Sequence, residues 1–135
     1  MTDLSGLKPG MKGSATLLVG EEHTAPRVGS GRVHVLATPV LINLIEAAAL
    51  AAAENFLPDG YQSLGIRLDV RHFAATPVGM QVTAVAELTK IDGRTLFFRV
   101  EAHDERETIA EGAHERVVVN VERFAKRVQR KIEGA

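Results

Sequence analysis

The chain has 135 residues, 45% apolar and 24% charged, with a net charge of −1 at neutral pH; that suits a single domain over 1–135 with a real core and is too short for two. The balanced charge, one tyrosine, five phenylalanines and absent tryptophan argue against a nucleic-acid or polybasic-membrane partner. Cysteine is absent, which removes disulfides, thiolate catalysis and cysteine-ligated metal and fits a cytoplasmic protein.

The amino terminus, MTDLSGLKPG, has neither a basic nor an apolar leader segment, so no signal peptide is expected. Residues 12–19 read as a first strand, entered through the Pro9-Gly10 turn. The polar segment EEHTAPRVGSGR then reads as a mobile loop bordering a pocket, and residues 33–37 as a short extended piece. A helix starts at Thr38-Pro39, with Thr38 as N-cap and Pro39 at the first helical position. It stops between residues 55 and 57, ahead of Pro58-Asp59-Gly60. The run is too short and alanine-rich to be read as a membrane span. Strands are predicted over 61–73, 80–91, 94–103 and 108–121, with Asp92-Gly93 as a tight hairpin turn. Residues 122–132 read as a docking helix with Phe124, Val128 and Ile132 on one stripe and a solvated basic side.

The central helix is apolar on nearly every face, so a sheet must curl round it. That predicts an α+β hotdog fold: an antiparallel sheet wrapped around one long central helix, with a short C-terminal helix. Sheet-edge pairing between copies would cover an exposed strand edge, predicting a homodimer or a dimer of dimers.

Chemistry is sought first at Glu46, the only formal charge between Pro39 and Ala53. A carboxylate in an apolar helix must be hydrogen-bonded, ion-paired or protonated. It is either a functional group or a structural carboxylate held by backbone donors or an arginine. In the next strand Leu64, Ile66, Leu68 and Val70 alternate with Gly65, Arg67, Asp69 and Arg71. His72 falls in phase with the apolar set, so it is expected to point inward. By itself an inward histidine is a neutral core group; beside a buried glutamate it can do acid–base work near neutral pH. Thr38 is a third candidate, although an ordinary helix cap explains it too. Glu46 lies about 12 Å of helical rise beyond Thr38, so their contact would need an irregular helix entry or a site completed across a subunit boundary.

The segments VLATPVLINLIEAAALAA, SLGIRLDVRHFAATPVG and EGAHERVVVNVERF resemble the fluoroacetyl-CoA thioesterase family of hotdog proteins. The resemblance covers nearly the whole chain, from about Gly10 to Phe124, in family order. It implies hydrolysis of a short-chain acyl-CoA thioester by Thr38, Glu46 and His72, with the Gly65 backbone N–H at the substrate. It implies no metal and no cofactor beyond the coenzyme A carried by the substrate. It leaves the acyl group open, and residues 32–36 before the helix contain no phenylalanine.

Coenzyme A phosphates call for basic groups at a pocket mouth; Arg27, Arg32, Arg67, Arg71 and Arg116 are available, or are simply solvated charge. His114 and Arg116 match the family's G-x-H-x-R segment and either border the site or knit the dimer. His23, His34, His103 and His114 form no metal-ligand spacing. Alternatives to the thioesterase reading are a hotdog acyl-CoA hydratase, told apart by hydration without thiol release, and a non-catalytic acyl-CoA-binding or sensing module. A binding-only apolar pocket has no need of both an inward histidine and a buried glutamate.

Overall fold

A computed structural model describes residues 3–134. Strands β1 (Lys12–Leu18), β2 (Tyr61–His72), β3 (Gln81–Asp92), β4 (Thr95–His103) and β5 (Thr108–Asn120) form one antiparallel sheet in the order β1-β3-β4-β5-β2. The order follows from the connections. Hairpins join β3 to β4 and β4 to β5, while β1 and β2, separated by the central helix, end at opposite edges.

The helices are a one-turn α1 (Ala25–Val28), the central α2 (Thr38–Ala53) and the terminal α3 (Val121–Ile132). Leu41, Leu44, Ile45, Ala48, Ala49, Ala52 and Ala53 of α2 are buried against Val82, Ala84, Ala86, Leu88, Val100 and Ala102 of the sheet. Small side chains on both surfaces let helix and sheet approach closely, and Gly13 takes this to its limit. A Cβ there would run into the backbone nitrogen of Ala52, so β1 crosses α2 with no room for a side chain. Thr38–Phe56 would pass for a bilayer span by length and composition, but here it is the helix around which the core is built.

The details differ from the sequence expectations in several places. Residues 20–29 are folded rather than a simple loop: a 3₁₀ turn over Glu21–His23 leads into α1, and Gly29 closes α1 at φ 91°. Residues 33–37 join no strand of the sheet, and only an isolated bridge from Leu36 to Thr24 ties them down. Thr38 does not cap α2; Ala37 is the N-cap, and Thr38 is already helical with its hydroxyl used elsewhere.

The helix is also not covered all round. Asn43, Ala47, Leu50 and Ala51 are exposed, and the Glu46 side chain is 34% accessible. Finally, α3 does not dock within the chain: Phe124, Val128 and Ile132 are 39%, 44% and 74% exposed. Its N-cap is sound, with the Asn120 side chain accepting from Arg123 N–H at 3.0 Å.

The alternation along β2 breaks at a bulge between Gly65 and Arg67, where Ile66 has no partner on β5. Such an insertion moves everything beyond it to the other face. Ser63 and Gly65 therefore share the inner face with Leu68, Val70 and His72, while Leu64 lies outside opposite Val117. His72 points inward as expected, but Leu64 does not. Because β2 is an edge strand, Leu64, Ile66 and Leu68 remain 40%, 55% and 38% exposed.

Candidate functional site

The residues marked by the sequence fall into two groups. At the first, α2 begins where β2 ends, and Thr38 Oγ1 lies 2.8 Å from His72 Nδ1. The other imidazole nitrogen, Nε2, is buried and has no hydrogen-bond partner among the described residues. Burial pushes the His72 pKa below its ordinary value of 6.5, opposed by the Ala74 carbonyl. A neutral imidazole bonded to a hydroxyl can accept or relay a proton. The Thr38 N–H has no hydrogen-bond partner among the described residues and lies at the positive end of the α2 dipole. Thr38 and His72 open into a cavity of about 310 Å³, walled by Val33, Val35, Phe73 and Ala74, with Arg32 beside them.

The second group is built around Glu46, two turns further along α2. Its Oε2 accepts from Arg116 Nη1 at 3.1 Å, in an ion pair whose arginine side chain is only 6% exposed. Arg116 Nε donates to Ser63 Oγ at 2.8 Å and Nη2 donates to the Ser63 carbonyl at 3.1 Å. Ser63 in turn donates from its hydroxyl and its backbone N–H to Glu54, at 2.6 and 2.9 Å. One chain of bonds thus runs from Glu46 through Arg116 and Ser63 to Glu54, the C-cap of the same helix.

His114 completes this group. Its Nδ1 lies 2.8 Å from the Arg67 carbonyl, which can only accept, so Nδ1 carries the hydrogen. Nε2 is then the acceptor for Arg116 Nη1 at 3.2 Å. Burial holds the ring's pKa below 6.5; the Arg67 carbonyl opposes this and the Arg116 charge adds to it. Glu46 Oε1 has no partner among the described residues. One oxygen of the carboxylate is therefore anchored and the other is free for chemistry.

Gly65 lies against this carboxylate. A Cβ at residue 65 would collide with Glu46 Oε2 and come within 3.2 Å of His114 Cε1. Among the arginines considered, Arg116 serves this internal network, Arg67 pairs with Glu115 at 2.7 Å on the outer face, and Arg32 alone lines the cavity of Thr38 and His72. No cluster suited to a metal ion occurs among the described residues.

Within one chain, then, Thr38 meets His72 and Glu46 meets Arg116, Ser63 and His114, with about 12 Å of helix between the two groups. Sequence reasoning left Arg116 undecided and missed Ser63 and Glu54. A signal for Arg116 was available: it alternates with His114 and Val118 along β5, and a lone acid in the helix needs a cation on the facing sheet.

Known proteins resemble the chain over nearly its full length. A family model described as fluoroacetyl-CoA-specific thioesterase matches residues 19–122. The fluoroacetyl-CoA thioesterase of Streptantibioticus cattleyicolor is 43% identical over 97 residues, covering 72% of this chain and 70% of that protein. A solved structure of a fluoroacetyl-CoA thioesterase superposes with a TM-score of 0.87 at 34% identity, over 94% of this chain and 98% of the other. A thioesterase superfamily member from Thermus thermophilus gives 0.84 at 28% identity, over 95% and 97%. A hot-dog-like protein from Thermanaerovibrio acidaminovorans gives 0.85 at 23% identity, over 93% of each chain, a likeness of fold alone. The architecture is the hotdog fold, and the chain belongs to the fluoroacetyl-CoA-specific thioesterase family.

Proposed function

We propose that this chain, a thioester hydrolase by family, hydrolyses a short-chain acyl-CoA with Thr38, Glu46 and His72, and that two copies complete each site. The observation that carries this reading is the division of the polar groups. A hydroxyl–imidazole pair and a carboxylate with one free oxygen both border accessible space, and about 12 Å of helical rise separates Thr38 from Glu46 within one chain.

The edge strand β2 offers a way to join them. Leu64, Ile66 and Leu68 are uncovered there, and an unpaired strand edge invites a second strand. Antiparallel self-pairing of β2 about a two-fold axis near Leu68 sets His72 opposite Gly65 of the partner subunit. Gly65 lies against Glu46, so that pairing carries the free carboxylate oxygen toward the partner's Thr38–His72 cavity.

In this arrangement the thioester carbonyl sits at the start of α2. The Thr38 N–H and the helix dipole meet the developing oxyanion there, with the Gly65 N–H as a second donor. Glu46 Oε1 takes a proton from attacking water, which adds to the carbonyl carbon; alternatively it attacks that carbon itself, expels the thiolate and leaves an acyl–Glu46 anhydride that water then hydrolyses. In either course the C–S bond breaks and the water supplies the proton that ends on the thiolate: neutral His72 takes it up and hands it on, with Thr38 holding the imidazole in position, and the carboxylic acid is released. No step calls for a metal or a redox group. The cytoplasm, where coenzyme A thioesters are made and used, is the compartment this reading favours.

Release of free thiol from a panel of short acyl-CoAs tests it, with wild type beside Glu46→Gln and His72→Ala. Loss of turnover in both folded variants is expected. Retained hydrolysis by a folded Glu46→Gln protein would overturn the assignment.

A further inference from the structure

The cavity that holds Thr38 and His72 also holds a cation. Arg32 lines it, in the segment between α1 and α2, and has no ion-pair or hydrogen-bond partner among the described residues. The acids nearest in sequence, in the 3₁₀ turn before α1, do not pair with Arg32: Glu21 lies 2.6 Å from His34, and Glu22 lies 4.0 Å from His23. The same cavity has apolar walls as well. Val33 and Phe73 are 69% and 50% exposed, so they offer surface for a ligand to cover.

Size decides which part of a thioester faces this arginine. A cavity of about 310 Å³ is at the small end for ligand pockets. Open to solvent on one side, it holds an acyl group and its carbonyl and lets the pantetheine arm leave through the opening. The phosphates of coenzyme A lie a full pantetheine arm from the sulfur, beyond such a cavity. A guanidinium sharing the cavity with His72 therefore meets the acyl end. A planar, permanently charged fork suits a carboxylate, which it binds through two parallel N–H donors.

We infer that Arg32 receives a carboxylate at the far end of the acyl group, and that the preferred substrates are coenzyme A monothioesters of short dicarboxylic acids. This rests on the hydrolase reading above and names the substrate class of the same site. The methylenes of the acyl chain lie along Val33 and Phe73, and the carboxylate closes on Arg32.

The test compares kcat/KM for malonyl-, succinyl- and glutaryl-CoA with that for propionyl-, butyryl- and valeryl-CoA, in wild type and Arg32→Gln. Arg32 is exposed, so its pairing is partly screened. The expected preference for the carboxylated member is roughly tenfold at the best chain length. Arg32→Gln brings that ratio close to one, acting far more on the carboxylated substrates than on the neutral ones. A wild-type preference for neutral acyl groups overturns the inference, as does a ratio that survives Arg32→Gln. A KM raised equally for every thioester, with weaker inhibition by free coenzyme A, places a phosphate on Arg32 and also overturns it. These outcomes leave the hydrolase reading standing. Failure of folded wild type to hydrolyse any of the thioesters overturns that reading and takes this inference with it.

Discussion

Glu46 Oε2 occupies the space that a Cβ on residue 65 would fill. Gly65 lies on an extended strand beside a bulge and has no left-handed φ, so its backbone would accept alanine. The added methyl displaces the carboxylate instead. Gly65→Ala is expected to fold, to lose no more stability than the Glu46–Arg116 pair contributes, and to lose about 100-fold in kcat, the scale on which a misplaced catalytic group costs rate. Thermal melting alongside thiol-release kinetics checks both halves. Unchanged kcat would mean that the position of Glu46 is irrelevant to the reaction.

The Glu46–Arg116 pair separates charge from shape. Arg116 is buried and Glu46 is a third exposed, so the arginine suffers more when the pair is broken. Glu46→Gln keeps an oxygen acceptor for Nη1, and the predicted loss of stability is below about 1 kcal/mol. Both substitutions remove the counter-charge, but Glu46→Ala removes the acceptor as well and leaves Nη1 unpaired on that side, so a loss of about 2–3 kcal/mol is expected, with solvent reaching the gap limiting the cost. Urea denaturation of the two variants measures the difference. Equal stabilities would show that Arg116 is fully served by Ser63 and His114.

The hotdog architecture was legible because its signals are long-range and redundant. An apolar helix bounded by Thr-Pro and Pro-Asp-Gly, followed by four strands punctuated by turns, has few ways to fold. The burial of Leu64 and the capping by Thr38 were misread because each depends on a local event that periodicity cannot register. One unpaired residue at Ile66 reverses the face of everything before it on β2. One hydrogen bond to His72 takes the Thr38 hydroxyl from the helix end. The pairing of Glu46 with Arg116 was only half legible: the alternation on β5 marks Arg116 as inward, but the two residues are 70 apart in the chain, and the sheet order is what brings them together.

Stability should fall in mild acid. His72 and His114 both have folded pKa values below 6.5, chiefly through burial. The unfolded chain takes up these protons at about pH 6.5 and the folded chain only at lower pH, so the unfolded state gains as pH drops. Stability is therefore full above about pH 6.5 and is lost progressively as pH falls from there through the lowered folded values. Denaturation midpoints between pH 8 and pH 5 should show this decline, and His114→Gln should flatten part of it. A midpoint that is level through pH 6 would mean that both rings protonate freely in the folded protein.

A site shared between subunits makes a prediction that a site within one chain does not. Glu46→Gln and His72→Ala are each expected to be inactive as pure proteins. Unfolded together and refolded at equal concentration, they assort into both homodimers and a heterodimer. In the heterodimer both lesions fall in one site, because Glu46 of one copy serves His72 of the other, and the second site is intact. With random assortment about half of the dimers are mixed, each with one working site of its two, so about a quarter of wild-type activity returns. If each chain carried its own complete site, every site in the mixture would hold one lesion and the activity would stay at the level of the variants. Thiol release from the refolded mixture, with size-exclusion chromatography confirming dimers, therefore tests whether the carboxylate and the imidazole act across the β2 edge.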